Sequence, residues 1–241
     1  MKTSSSPLLL ALLTLCACGY REEGTQLHLG LDFRPTGAVL TQGTTREFLT
    51  DRGDRIRLRR AHVTLSAVEI FPCQRSTAWK WLRALSPIGT AEAHSDGSPR
   101  KLGTPYVMGL GPADGEALAL GTLRPPPDSY CRVHLVFAPA DADAEGLGEH
   151  PDMEGKTLVL EGERIAADGG PAVPFHLETS DVVNAEVSLE GLTLSPESLE
   201  ASRTLHLAYD RWLDGVSSVA GGSAATNQVL RNLSRSVSLQ P

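Results

Sequence analysis

Imidazoles and carboxylates are the groups in this sequence whose spacing could do chemistry. His28, His62, His134, His176 and His206 each occupy an alternate position in a short stretch where apolar and polar residues take turns. Alternate positions of an extended strand share a face, so these histidines are expected opposite the core-facing side. Where neighbouring strands bring two or three together, neutral imidazole nitrogens suit copper or zinc. There is no His-x-His pair to chelate locally, and the competing reading is isolated histidines on the wet faces of different strands.

The second constellation is acidic. Asp141, Asp143, Glu145, Glu149 and Asp152 place oxygen donors at the first, third, fifth, ninth and twelfth positions of a loop, with Gly146 at the sixth for a sharp turn. That spacing fits calcium, a hard cation taking about six to eight oxygen ligands. The departures are Asp152 where a longer bidentate Glu is usual, Gly148 where an apolar residue packs, and no flanking helical period. A solvated acidic loop is the competing reading. The chain has no Gly-x-Ser-x-Gly elbow, His-Glu-x-x-His, Walker loop or dinucleotide glycine fingerprint. No catalytic residue is assigned, and an enzyme would have to assemble its site from distant strands.

The elements that must position these groups are strands. Leu27, Leu29, Leu31 and Phe33 alternate with polar residues, the pattern of a half-buried strand. The same period runs through 55–58, 61–65, 131–137, 173–177 and 205–209, with weaker strands at 157–160, 182–189 and 192–194. Between Leu65 and Val68 the apolar parity flips from odd to even, which predicts a β-bulge. Many short strands, few aromatics and frequent turn residues predict an all-β fold, an antiparallel β-sandwich, with a closed β-barrel as the alternative. Residues 86–108 lack a sustained period and read as a long surface loop. After Gly221-Gly222, the spacing of Ala225, Val229, Leu230, Leu233 and Val237 predicts a short amphipathic helix.

The N-terminus carries Lys2, an apolar run from Leu8 to Leu13 and small residues before Cys18, the parts of an export signal. It is too short to span a bilayer, which takes about 20 apolar residues. Leu15-Cys16-Ala17-Cys18 resembles the bacterial lipobox. That resemblance implies a signal peptide over 1–17, a lipidated Cys18 and a tether over 18–24; the strand and helix patterning beyond it predicts a β-sandwich domain over 25–216 and a C-terminal linker and helix over 217–241. With Cys16 removed and Cys18 acylated, Cys73 and Cys131 remain as a disulfide pair in an oxidising compartment. The net charge of −7 becomes more negative once Lys2 is removed, which disfavours nucleic acid as a partner.

Secreted, strand-rich proteins with dispersed histidines also include the MbnP-like periplasmic copper-binding proteins, which this chain resembles. That resemblance implies copper held by histidines and a modified tryptophan, with Trp79, Trp81 and Trp212 as candidates. The chain departs from the family's cysteine-rich pattern, having only Cys73 and Cys131 beyond the signal. In a chain with 5% aromatics, filling the core is the expected use of the largest side chains, and Trp212 reads as a structural plug. The chain is also similar to other envelope β-sandwich lipoproteins. The function expected is a non-enzymatic binding or structural module, tethered to the lipid bilayer by acyl chains, with an envelope protein or small ligand as partner. The place expected is the cell envelope, with Gly19 after the cysteine pointing to the outer membrane. A metal-binding lipoprotein, holding copper, zinc or calcium, is the second reading and an envelope enzyme the third.

Overall fold

The computed structural model describes residues 24–73, 98–216 and 222–239. The signal segment, Cys16, Cys18, the tether up to residue 23, Trp79 and Trp81, residues 86–97 of the expected loop, and 217–221 of the linker lie outside the described residues.

The chain folds as an all-β sandwich with a short C-terminal helix. Strand β1 (Gln26–Phe33) buries Leu27, Leu29, Leu31 and Phe33 on one side, as alternation dictates. The next strands are β2 (Leu40–Gln42), β3 (Thr45–Leu49), β4 (Arg55–Pro72), β5 (Lys101–Leu102), β6 (Tyr106–Gly109), β7 (Leu118–Leu123) and β8 (Asp128–Phe137). They are followed by β9 (Leu158–Ile165), β10 (Val173–Thr179), β11 (Val183–Leu194), β12 (Glu200–Leu207) and β13 (Val237–Leu239). The smaller sheet runs β13-β12-β1-β7, and its β1–β12 pair is parallel. The larger sheet has β4 at its centre. One edge of β4 pairs with β9 and then β8, while the other pairs in turn with β3, β6 and β5. One apolar core joins Leu27 and Leu205 of the small sheet to Ile56, Val133 and Leu160 of the large one. Each such side chain contributes roughly 1.5–3 kcal/mol on burial. Among the described residues, the strands make two sheets and no closed barrel.

Strand β4 carries three irregularities, the last of them at its end between Phe71 and Pro72. Its register against β8 shifts between Leu65 and Ala67, where the sequence parity flips. The first shift along the strand, against β9 between Leu58 and Arg60, is written in the sequence by a change from Ile56 and Leu58 to Ala61, Val63 and Leu65 as the buried residues. Each extra residue moves the following side chains to the opposite face.

Residues 98–108 differ from the loop expected there. Tyr106–Gly109 and Lys101–Leu102 add to the edge of β4, and Val107 and Met108 are buried. The short runs hold too few residues to display a period. Likewise 182–189 and 192–194 form the single strand β11, interrupted at Glu190 and Gly191, both at positive φ. Helix α1 (Ser223–Arg235) buries Val229, Leu230 and Leu233; Val237 lies beyond it in β13. Trp212 is buried edge-on against Phe33, and its indole N–H donates to Ser236 Oγ at 2.9 Å, as a plug should. Cys73 and Cys131 are disulfide-bonded, Cα atoms 4.8 Å apart. No helix among the described residues is long and apolar enough to cross a membrane.

Candidate functional site

The first shift in β4 leaves Arg59 and Arg60 consecutive on the polar side and sends His62 and Thr64 to the outer face of the large sheet. That face is not bare. Residues 140–156 form a loop whose ends meet: Ala140 N donates to Lys156 O at 3.0 Å and Gly155 N to Ala140 O at 2.8 Å. The loop has an apolar underside of Ala140, Ala144, Leu147 and Met153, packed on Val107 and Val159. Compact loops of this kind, closed at the neck and filled by their own side chains, are common carriers of function. Thr64 fastens the neck, its Oγ donating to Lys156 O at 2.9 Å and its N–H to Thr157 O.

Between this loop, β4 and β6 lies a groove of about 760 Å³. The rings of His62 and His150 lie against each other there, centroids 4.0 Å apart and planes tilted by 38°. Gly109 makes room for the pair, since a Cβ at that position would fall onto the His62 ring, 2.6 Å from Nε2 and 3.2 Å from the Ala61 carbonyl. Arg60 Nε donates to His62 Nδ1 at 3.0 Å, which leaves the imidazole proton on Nε2. Burial, the neighbouring His150 and the Arg60 guanidinium push His62 down to about 4, so the ring is neutral at ordinary pH.

Arg60 is the hub. Its Nη2 pairs with Asp152 of the loop and its Nη1 with Glu161 at 3.2 Å. The Arg60 hydrogen bond holds the Asp152 carboxyl below the usual range. Glu161 Oε1 also meets His176 Nδ1 at 3.2 Å, His176 Nε2 meets Glu178 at 3.2 Å, and Glu178 accepts from Lys156 Nζ at 2.5 Å. A line of alternating donors and acceptors thus runs from the groove across β4, β9 and β10.

On the groove's far rim, Leu110, Gly111 and Pro112 are held by a buried cation. Arg46, 2% exposed, donates from Nη2 to Leu110 O at 3.3 Å and Pro112 O at 3.0 Å, from Nη1 to Gly43 O, and from Nε to Asp114 at 3.1 Å. Tyr209 donates its hydroxyl to the other Asp114 oxygen at 2.8 Å.

The histidines expected to converge are dispersed. His28 bonds Thr122, His134 lies against Phe71, and His176 sits in the line just described. His206 is buried rather than on a wet face, because Asp32 lies directly opposite on β1 and bonds its Nδ1. Only His62 reaches the groove, and its neighbour there is His150. A copper or zinc ion needs an unprotonated nitrogen, and His62 offers none while Nδ1 accepts from Arg60.

The acidic positions also separate. Asp141 and Asp143 bond each other, which raises the Asp141 carboxyl above the usual range. Glu145 takes the Tyr106 hydroxyl, Asp152 takes Arg60, and Glu149 has no ion-pair partner among the described residues. Gly146 does make the expected sharp turn, at φ 79°, against the Val107 carbonyl. Among the described residues, no three or more His, Cys, Asp or Glu are placed to hold a metal ion.

Sequence reasoning missed His150, Arg60, Tyr106, Gly109 and Arg46. His150 sat within the acidic run and had no strand period to mark it; the doubled arginine at 59–60, where parity changes, was the available signal. No protein-family model, curated protein or solved structure matches this chain.

Proposed function

We propose that this chain is a lipid-anchored binding module of the bacterial cell envelope, and that its small ligand lies in the groove between β4, β6 and the 140–156 loop. The observation that carries the binding half is the built floor of that groove. A neutral His62, lying against His150 and seated on Gly109, carries its ring proton on Nε2 beside apolar walls from Met108, Leu110 and Leu118. A concave, partly apolar surface with a few converging polar groups and a perturbed titratable residue is what a ligand site needs. The lipobox-like Leu15-Cys16-Ala17-Cys18 supports the anchor, and the Cys73–Cys131 bond supports an oxidising compartment.

Two measurements test the two halves. Intact mass spectrometry should find acyl chains on Cys18 and residues 1–17 removed; a mature chain retaining Met1 refutes the anchor. For the groove, amide spectra should be recorded with separate sets of small amines, carboxylates and glycosides. At least one set should move Tyr106, Gly109, Gly111 and His150 together. Gly111→Trp, whose new side chain has open space beside its Cβ, should fill the groove and abolish the shifts. Shifts that survive this substitution, or none in any set, refute the site.

A further inference from the structure

The charges around the groove are unevenly satisfied, and this narrows what could occupy it. Two guanidinium groups border it, and both are engaged with carboxylates outside it. Arg59 Nη1 pairs with Glu163 at 3.4 Å. Arg60 is shared between Asp152 and Glu161. His62 carries no charge while its Nδ1 accepts from Arg60. The carboxylates on the loop side are in the opposite condition. Among the described residues, Glu145 is met by a neutral donor, the Tyr106 hydroxyl, and by no cation. Glu149 has no ion-pair partner among the described residues. Among the described residues, the loop side of the groove therefore carries two carboxylates with no cation paired to them, beside a wall formed by Met108, Leu110 and Leu118.

We infer that the groove takes a small organic cation, an ammonium or guanidinium group on a short apolar stem, with Glu145 and Glu149 as its counterions. The stem lies against the Met108, Leu110 and Leu118 side. The head group supplies the charged partner that Glu145 lacks, and His62 stays compatible because it adds no positive charge. An anion of the same size would meet two carboxylates, would find the Arg60 nitrogens already taken by His62, Glu161 and Asp152, and would share Arg59 with Glu163. A neutral head group would leave Glu149 without a partner. The inference rests on the groove being the binding site.

Three probes that share one stem separate these cases: butylguanidinium, butyrate and butanol, each titrated into the chain purified from membranes in detergent, with amide shifts as the readout. Butylguanidinium should move Tyr106, Gly109 and His150 at the lowest concentration, and its affinity should fall as salt is raised. Glu145→Gln with Glu149→Gln should weaken it by about tenfold and remove the salt dependence, two exposed ion pairs together being of that order. A circular dichroism spectrum unchanged from the parent shows that the double variant is folded. Preference for butyrate, or butanol binding as well as butylguanidinium, overturns the cation assignment and leaves the groove reading intact. If none of the three moves these amides while a glycoside does, the cation assignment again falls alone. If nothing moves them, both fall.

Discussion

Lowering the pH from about 8 to about 3 should leave the His62 ring neutral long after an exposed histidine has gained its proton, with an NMR midpoint near 4 against the ordinary 6.5. Burial is the largest cause, followed by His150 and then Arg60. The direction fixes the sign of a stability effect. The folded value is depressed, so the unfolded chain takes up this proton first. The contribution of neutral His62 is complete above about 6.5 and is lost as the pH falls towards 4. The full interval corresponds to about 3 kcal/mol at 1.36 kcal/mol per pH unit. The ring is only partly buried, and solvent screening reduces this to about 1–2 kcal/mol. Urea denaturation at about pH 7 and about pH 4, on the parent chain and on His62→Gln, isolates the term, because other acid-sensitive groups are common to both chains. The parent should lose about 1–2 kcal/mol more than the variant. Arg60→Met should raise the His62 midpoint only part of the way, since burial remains. A midpoint at about 6 or higher, or the same acid loss in both chains, would refute the reasoning.

Gly109→Ala forces a methyl group into the His62 ring and should cost about 1–3 kcal/mol, as overpacking does. Adding His62→Ala removes the obstruction, so the double variant should be more stable than the sum of the singles predicts; strict additivity in thermal melts would disprove the contact. Arg46→Met takes the guanidinium from Asp114 and from three carbonyls, those of Leu110 and Pro112 on the groove rim and that of Gly43, and should lower stability by about 3–5 kcal/mol. Its urea midpoint should fall with little change in slope, and a loss below about 1 kcal/mol would mean that water replaces the arginine. Replacing Cys73 and Cys131 by alanine should cost about 2–5 kcal/mol; a thiol reductant should lower the melting temperature of the parent chain towards the variant's and leave the variant's own unchanged.

The strand framework was legible because its signal is local. Leu27, Leu29, Leu31 and Phe33 report their own burial by alternation, and so do Val133, Leu135 and Phe137. The bulge at Leu65–Ala67 was legible for the same reason, as a break in parity. His206 was misplaced because alternation says only that a residue faces away from the core. It does not say that Asp32 and the neighbouring segments cover that second face. The 140–156 loop looked acidic and wet because Ala140, Ala144, Leu147 and Met153 are sparse and aperiodic. They bury together only when Val107 and Val159 arrive from two distant strands. The groove is a product of that non-local packing, so neither His150 nor Tyr106 could be paired with His62 from spacing alone.

The irregularity at Leu58–Arg60 links the fold to the groove. Ile56 and Leu58 face the core; in an unbroken strand residues 60 and 62 would follow them inward. An arginine and a histidine would then enter an apolar interior at a cost of several kcal/mol each unless paired. The extra residue at the shift turns Arg60 and His62 outward and Ala61, Val63 and Leu65 inward, so the core stays apolar while the strand gains a polar patch. The second shift, after Leu65, restores the even positions Val68 and Ile70 to the core for the pairing with β8. Between the two shifts lies the stretch of β4 that pairs with β6 and receives the neck of the loop at Thr64. The same two inserted residues that interrupt the ladder therefore define which part of a long strand can be core on one face and ligand surface on the other. Strands otherwise committed to one face by strict alternation cannot change allegiance in mid-course without such a device.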